Sequence, residues 1–268
     1  MDKKLLENIL VHDKVAKKYE SLHGEIYNEV EQGRLKKSLR EAVEKITTDS
    51  NEKKALDFGC GAGNLTQHLV DLDVVVTAAD ISENFLKLVE YKYKKEDTRL
   101  NFLQLNGVDL SNIEDASFDF VCLYSVLHHI PDYLAILKEF ARVLKPGGVL
   151  YIDHEASPQV WNQNESYKEY DQKISSINAH KNRWQRLGHL FIPEYWVNAL
   201  KEFLNPKYKP EGDIHVFQDD HIEWDKVEAV FAETKLAKVK KEDYLLFTKY
   251  CPQQLYDEYK DKCNDIRL

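Results

Sequence analysis

The segment Leu56-Asp57-Phe58-Gly59-Cys60-Gly61-Ala62-Gly63 constrains this chain more than any other. A short apolar run from Ala55 to Phe58 ends in three glycines spaced G-x-G-x-G, and from Asn64 to Val70 a helical pattern resumes. The segment reads as strand, turn and helix. A glycine turn at such a junction lets the backbone approach a ligand closely, because no Cβ intrudes. The start of the following helix offers free N–H groups, which suit a dinucleotide pyrophosphate or the carboxylate of an amino acid. The spacing departs from the G-x-G-x-x-G dinucleotide fingerprint. Asp57, just before the first glycine, would repel phosphates and attract an ammonium group. A ligand carrying both an ammonium and a carboxylate therefore fits better than a dinucleotide.

Strand and helix patterns alternate after this turn. Val74 to Ala79 is β-branched and nearly continuous, as a strand buried on both faces should be, and it ends at Asp80. Ser82 can cap the next helix, whose inner face carries Phe85, Leu86 and Val89. Leu100 to Leu105, Phe118 to Tyr124 and Val149 to Ile152 are further strand candidates. Asp132 to Leu144 reads as a helix stopped by Lys145-Pro146-Gly147-Gly148. Such alternation predicts an α/β fold, a Rossmann-like doubly wound and mostly parallel sheet. Leu236 to Val239 and Tyr244 to Phe247 are weaker strand candidates, after a helix pattern from Ile222 to Thr234.

The remaining segments divide by character. Residues 1–50 read as N-terminal helices closing over the ligand, and residues 51–155 with 222–250 as the core. Residues 156–221 are polar yet carry Trp161, Tyr167, Tyr170, Trp184 and further aromatics, too many for a disordered linker. They read as an inserted helical cap that could enclose an acceptor, or whose aromatics pack its own core. Residues 251–268 read as a polar tail, helical or frayed.

Composition narrows the function. The chain has 268 residues, 43% of them hydrophobic, enough for a sizeable core. Its formal net charge of −9 disfavours a phosphate backbone as partner, so no nucleic acid is expected. The four cysteines form no CxxC pair, which suggests reduced thiols and a cytoplasmic location. The N-terminus lacks a signal-peptide pattern, and no apolar run approaches the roughly 18 residues of a membrane span, so no membrane partner is expected. Among the ten histidines, His215 and His221 beside Asp219 and Asp220 come nearest to a metal cluster, but their spacing matches no common zinc pattern. No metal is expected.

Taken in order, the glycine segment, Asp80, Ser117-Phe118-Asp119, Ser125-Val126-Leu127-His128-His129-Ile130-Pro131-Asp132 and Ala141-Arg142-Val143-Leu144-Lys145-Pro146-Gly147-Gly148 resemble class I S-adenosylmethionine-dependent methyltransferases. The branch most similar in look includes the ubiquinone/menaquinone-type and small-molecule enzymes. The resemblance spans residues 50–155 and, weakly, 222–247. It implies S-adenosyl-L-methionine as cofactor, S-adenosyl-L-homocysteine as product, and a small-molecule methyl acceptor. It further implies that Gly59, Gly61 and Gly63 line the methionine moiety, with Asp57 near its amino group and Tyr124 giving a backbone contact. Asp80 would hold the ribose and Ile81 would pack on the adenine. Where relatives place an acid for the adenine amino group, this chain reads Asn106-Gly107-Val108-Asp109; Asn106 could accept through its amide oxygen, with Asp109 the alternative, beside the backbone of Gly107 and Val108. Tyr19 is the candidate N-terminal tyrosine that closes over the cofactor, with a core role as the competing account. Tyr19, His23 and Tyr27 are spaced to share one helix face.

His128 and His129 follow the fourth strand at the edge of the expected cleft. Either could act as a general base on an acceptor hydroxyl, or both could serve packing and helix entry. His154 and Glu155 are similarly placed after the fifth strand. Two rivals stand beside the methyltransferase reading. A nicotinamide-dependent oxidoreductase is disfavoured by the glycine spacing and Asp57. A cofactor-binding sensor or scaffold without transferase activity shares the glycine turn and Asp80. The acceptor atom and the oligomeric state are not legible in the sequence.

Overall fold

The computed structural model describes residues 20, 23–93, 99–156, 165–189, 222–245 and 251–264. The chain divides into two units. The first comprises the described residues up to Ala156 together with 222–241; the second comprises 165–189, 242–245 and 251–264.

In the first unit helix α1 spans Glu29–Val43. Asn28 caps it by accepting the N–H of Glu31 at 2.9 Å. Five strands follow in the order of the sequence patterns: β1 Lys54–Phe58, β2 Val75–Asp80, β3 Leu100–Gln104, β4 Phe118–Tyr124 and β5 Leu144–Asp153. Between them lie α2 (Asn64–Val70), α3 (Glu83–Tyr93) and α4 (Tyr133–Val143), and α6 (Trp224–Glu233) closes the unit. The Ser82 hydroxyl accepts the N–H of Phe85 at 3.2 Å, as expected for the start of α3.

All four strand pairings are parallel, in the spatial order β3-β2-β1-β4-β5. This is the doubly wound sheet that the sequence predicts. Side chains alternate between its faces, as the pleat requires. Leu56, Phe58, Val121 and Leu123 pack with α4 and α6 on one side, whereas Ala55, Val76, Ala78, Phe120 and Cys122 pack with α1, α2 and α3 on the other. The winding reverses at β1, which has β2 on one side and β4 on the other. The carboxyl ends of β1 and β4 therefore diverge into a crevice, the usual ligand site of such sheets.

Three differences from the sequence reading have physical causes. β5 begins at Leu144 rather than after Gly148: Leu144 pairs with Phe118, and a register shift then absorbs the Pro-Gly-Gly stretch, with Gly147 at φ +82°. Residues 236–240 form no strand and pair with none of the described strands; of Tyr244 to Phe247, only Tyr244 and Leu245 are described, also outside any strand. Helix is also interrupted within residues 1–50: Glu20 is helical, residues 23–28 form a turn, and α1 follows the Asn28 cap.

In the second unit α5, Glu165–His189, and α7, Gln253–Asn264, share a small core of Tyr170, Ile174, Leu245, Cys251 and Tyr259. The C-terminal helix is thus packed rather than frayed. Trp161, His215 and His221 lie outside the described residues. Among the described residues no helix is long and apolar enough to cross a membrane.

Candidate functional site

An open cleft lies over the carboxyl ends of β1 and β4. Asp57, Gly59, Cys60, Gly61 and Ala62 form its floor, Asn64 and Leu65 its α2 side, Tyr124 one wall, and Ile26 and Tyr27 the wall before α1. Every part of this lining belongs to the first unit.

The glycine turn is left-handed three times, with φ of +70° at Gly59, +49° at Gly61 and +89° at Gly63. Gly59 is also short of room, since a Cβ there would lie 2.7 Å from Val126 Cγ2. Gly61 faces open space, with nothing within 4 Å of a Cβ. The turn is pinned by the N–H groups of Gly59 and Cys60, which donate to Ala79 O at 2.8 and 2.9 Å. It is pinned again by Gly61 N–H, which donates to Asp80 Oδ2 at 2.9 Å, while Asp80 Oδ1 accepts Ser82 N–H at 2.8 Å. Asp80 thus joins the end of β2 to the middle of the glycine turn.

Asp57 is buried, with Oδ2 accepting the Thr66 hydroxyl at 2.5 Å. Burial pushes its carboxyl up to about 7; the Thr66 hydrogen bonds offset that only in part. Beneath the turn, Cys60 and Cys122 are buried thiols, each pushed well above the ordinary range by burial.

Tyr124 leads into a charged cluster beside the cleft. Its hydroxyl donates to Glu31 Oε1 at 3.0 Å. Arg34 grips both Glu31 oxygens, at 2.6 and 3.0 Å, and reaches Asp153 at 3.0 Å, while the Tyr151 hydroxyl donates to Asp153. The His154 ring stacks on Tyr124 with centroids 4.7 Å apart, and burial lowers its pKa, which favours the neutral ring. Ser125 and His154 hold φ of +59° and +58° at the ends of β4 and β5, the backbone strain that clusters at ligand sites.

The histidine pair lies on the 3₁₀ turn Leu127–His129. His128 is buried, its Nδ1 is 2.8 Å from Glu155 Oε2, and its ring centroid lies 4.1 Å from that of His129. Glu155 Oε1 accepts the N–H groups of Val126 and Leu127 at 2.7 and 2.8 Å.

The adenine-side candidates form an exposed turn. Asn106 Oδ1 accepts Val108 N–H at 2.8 Å and Asp109 N–H at 3.0 Å, and Asn106 Nδ2 donates to Asp109. The amide oxygen that the sequence offers to a ligand therefore already closes its own loop. Gly107 takes φ +74°, and Val108 is 78% exposed. Ile81 is half-buried at the foot of α3.

The structure thus brings Asp57, Gly59, Gly61 and Tyr124 to one cleft. Gly63 begins α2 beside it, Asp80 reaches it through Gly61, and His128, His129, Ile81 and Asn106–Val108 stand outside its lining. Tyr19 lies outside the described residues; Ile26 and Tyr27 form the N-terminal wall. Sequence reasoning missed Asn64, Glu31, Gln32 and Arg34. Asn64 directly follows the last glycine and was open to notice. The others are ordinary polar residues on a helix, with no local signal.

Residues 56–152 match the family described as "Methyltransferase domain". The chain is similar to a demethylmenaquinone methyltransferase of Bacillus pumilus, 31% identical over 69% of this chain and 74% of the relative. It is also similar to a ubiquinone biosynthesis O-methyltransferase of Idiomarina loihiensis, 33% identical over 41% of this chain and less than half, 45%, of the relative. Among solved structures it resembles the YcgJ protein of Bacillus subtilis, with a TM-score of 0.45 and 20% identity over 74% of this chain and 67% of that one.

Proposed function

The chain belongs to the S-adenosylmethionine-dependent methyltransferases, and we propose that it holds the cofactor's methionyl part over the glycine turn and methylates a quinol-like small molecule. S-adenosylmethionine supplies an activated methyl on a sulfonium, so the protein's part is to bind, orient and exclude water.

The observation that carries the placement is the desolvated Asp57 at the cleft floor. Its carboxyl is costly to ionise where it stands, and an ammonium group beside it would stabilise the charged form. Gly61 adds room, because its Cβ position opens on free space. The ribose is assigned to Asp80 and the adenine to the rim formed by Ile81 and Asn106–Val108. Tyr124 walls the methionyl end, with Tyr27 supplying the N-terminal side.

For an acceptor hydroxyl, the candidate bases are His128 and His129. Glu155 orients His128, as a carboxylate behind a working imidazole does. The quinol class is supported by the demethylmenaquinone methyltransferase named above, of which this chain covers about three quarters. A cytoplasmic location is supported by Cys60, Cys122 and Cys251, which are buried free thiols.

Calorimetry with S-adenosylhomocysteine on wild type and Asp80→Ala tests the cofactor placement: the variant should bind at least tenfold more weakly. Unchanged affinity would remove Asp80 from the site. Mass spectrometry after incubation with S-adenosylmethionine and a demethylated menaquinol tests the acceptor, expected to gain one methyl. Cofactor binding with no methylation of such quinols would overturn the quinol assignment.

A further inference from the structure

Gln32, on the first turn of α1, donates both of its amide hydrogens. Gln32 Nε2 lies 3.1 Å from the carbonyl oxygen of Ile26 and 2.9 Å from Asn64 Oδ1. Its Oε1 lies 2.9 Å from His68 Nε2. Amide orientation is normally ambiguous, because oxygen and nitrogen look alike. Here the Ile26 carbonyl removes the ambiguity, since it can only accept. The Gln32 atom facing it must therefore be the NH₂ group.

That choice propagates. With the Gln32 NH₂ on one side, the Asn64 atom facing it must be the oxygen. With Gln32 Oε1 on the other side, His68 must carry its proton on Nε2. Burial lowers the His68 pKa, in keeping with the neutral ring. The NH₂ group of Asn64 then takes no part in the network. Asn64 Nδ2 is buried and has no hydrogen-bond partner among the described residues. Ile26 and Asn64 both line the cleft.

A buried donor without an acceptor costs about 1–3 kcal/mol, so its persistence calls for a partner that arrives with the ligand. We propose that Asn64 Nδ2 is the donor for the carboxylate of the cofactor's amino-acid end, and that Gln32 is the positioning residue that keeps Asn64 in its donating orientation. The proposal rests on the methyltransferase reading and adds to it a polarity: Asp57 takes the ammonium, Asn64 takes the carboxylate, and the two ends cannot exchange. It also gives α1 a part in cofactor recognition without any contact between Gln32 and the ligand.

Two isosteric variants test it. Asn64→Asp replaces the donor with a carboxylate. Gln32→Glu cannot donate to Asn64, so the Asn64 amide turns its NH₂ toward the new acid and presents oxygen to the cleft. Calorimetry is run with S-adenosylhomocysteine and with 5′-methylthioadenosine, which keeps the nucleoside thioether and lacks the amino-acid end. Both variants should bind S-adenosylhomocysteine roughly tenfold to a hundredfold more weakly, the value of a hydrogen bond to a charged group. Both should bind methylthioadenosine within about twofold of wild type, which also shows that they are folded. Equal losses for the two ligands, or no loss for S-adenosylhomocysteine, would overturn the assignment. A wild-type protein that binds neither ligand would instead remove the cofactor reading beneath it.

Discussion

Glu155 Oε2 stands 2.8 Å from His128 Nδ1, and the other oxygen of the same carboxylate receives the backbone N–H groups of Val126 and Leu127. One buried side chain after β5 therefore holds both the imidazole after β4 and the turn that carries it. Glu155→Ala would strand two backbone donors and an imidazole away from water. We expect a loss of about 2–4 kcal/mol, read as a drop in Tm by differential scanning calorimetry. A Tm within 1 °C or so of wild type would mean that water replaces the carboxylate and that the turn does not depend on it.

Asp57 should make cofactor affinity depend on pH. Its folded-state carboxyl is raised to about 7 from an ordinary 3.8, chiefly by burial. A raised acid favours the folded protein below the ordinary value, and this contribution is lost as pH rises toward 7. An ammonium ligand favours the ionised form. S-adenosylhomocysteine should therefore bind more tightly from pH 6 to pH 8, with proton release on binding below about pH 7. Asp57→Asn should bind more weakly and show a flat profile over that range. A pH-dependent profile retained in Asp57→Asn would assign the titration elsewhere.

Gly59 and Gly61 of the turn should fail differently. Gly59→Ala meets Val126 Cγ2 at 2.7 Å and must hold φ +70°. The steric and conformational costs together come to roughly 2–4 kcal/mol, seen as a lowered Tm. Adding Val126→Ala should recover the steric share only. Gly61→Ala has open space, so stability should fall by just about 1 kcal/mol while the new methyl group intrudes on the ligand and weakens binding. Equal Tm losses for the two variants would contradict the difference in room.

Arg34 ties Glu31 on its own helix to Asp153 at the end of β5. Both carboxylates are nearly buried, with side chains 2% and 6% exposed. Arg34→Ala leaves two acids without their shared cation, expected to cost about 2–4 kcal/mol after allowing for the quarter of Arg34 that meets solvent. Because Glu31 also anchors Tyr124, cofactor affinity should fall with stability. Urea denaturation and calorimetry on the same preparation check both. A stable variant with normal affinity would show that the cluster neither holds α1 nor shapes the cleft.

Some residues that stand out in the sequence are structural. Asp119 starts β4 at the end away from the cleft, where Thr48, Ser50, Lys54 N–H and Lys145 all donate to it. Burial alone would raise its carboxyl, and those donors hold it well below the usual range instead. Arg142 similarly donates to the carbonyls of Leu110 and Ile113, fixing the loop before β4. Their place in a recognisable motif marks the frame rather than the chemistry.

The sequence by itself determined the order of strands and helices, the glycine turn and the acids at the ends of β1 and β2. Those features are local: period-two and helical patterns select the elements, and only glycine relieves a left-handed backbone at Gly59, Gly61 and Gly63. Tertiary structure decided the rest. It set the β3-β2-β1-β4-β5 order and so opened the crevice at β1 and β4. It brought Glu31, Gln32 and Arg34 of α1 against Tyr124, Asn64 and Asp153. Those last partners are set by hydrogen-bond directions between segments far apart in the chain, and no local pattern of residue types encodes a direction in space.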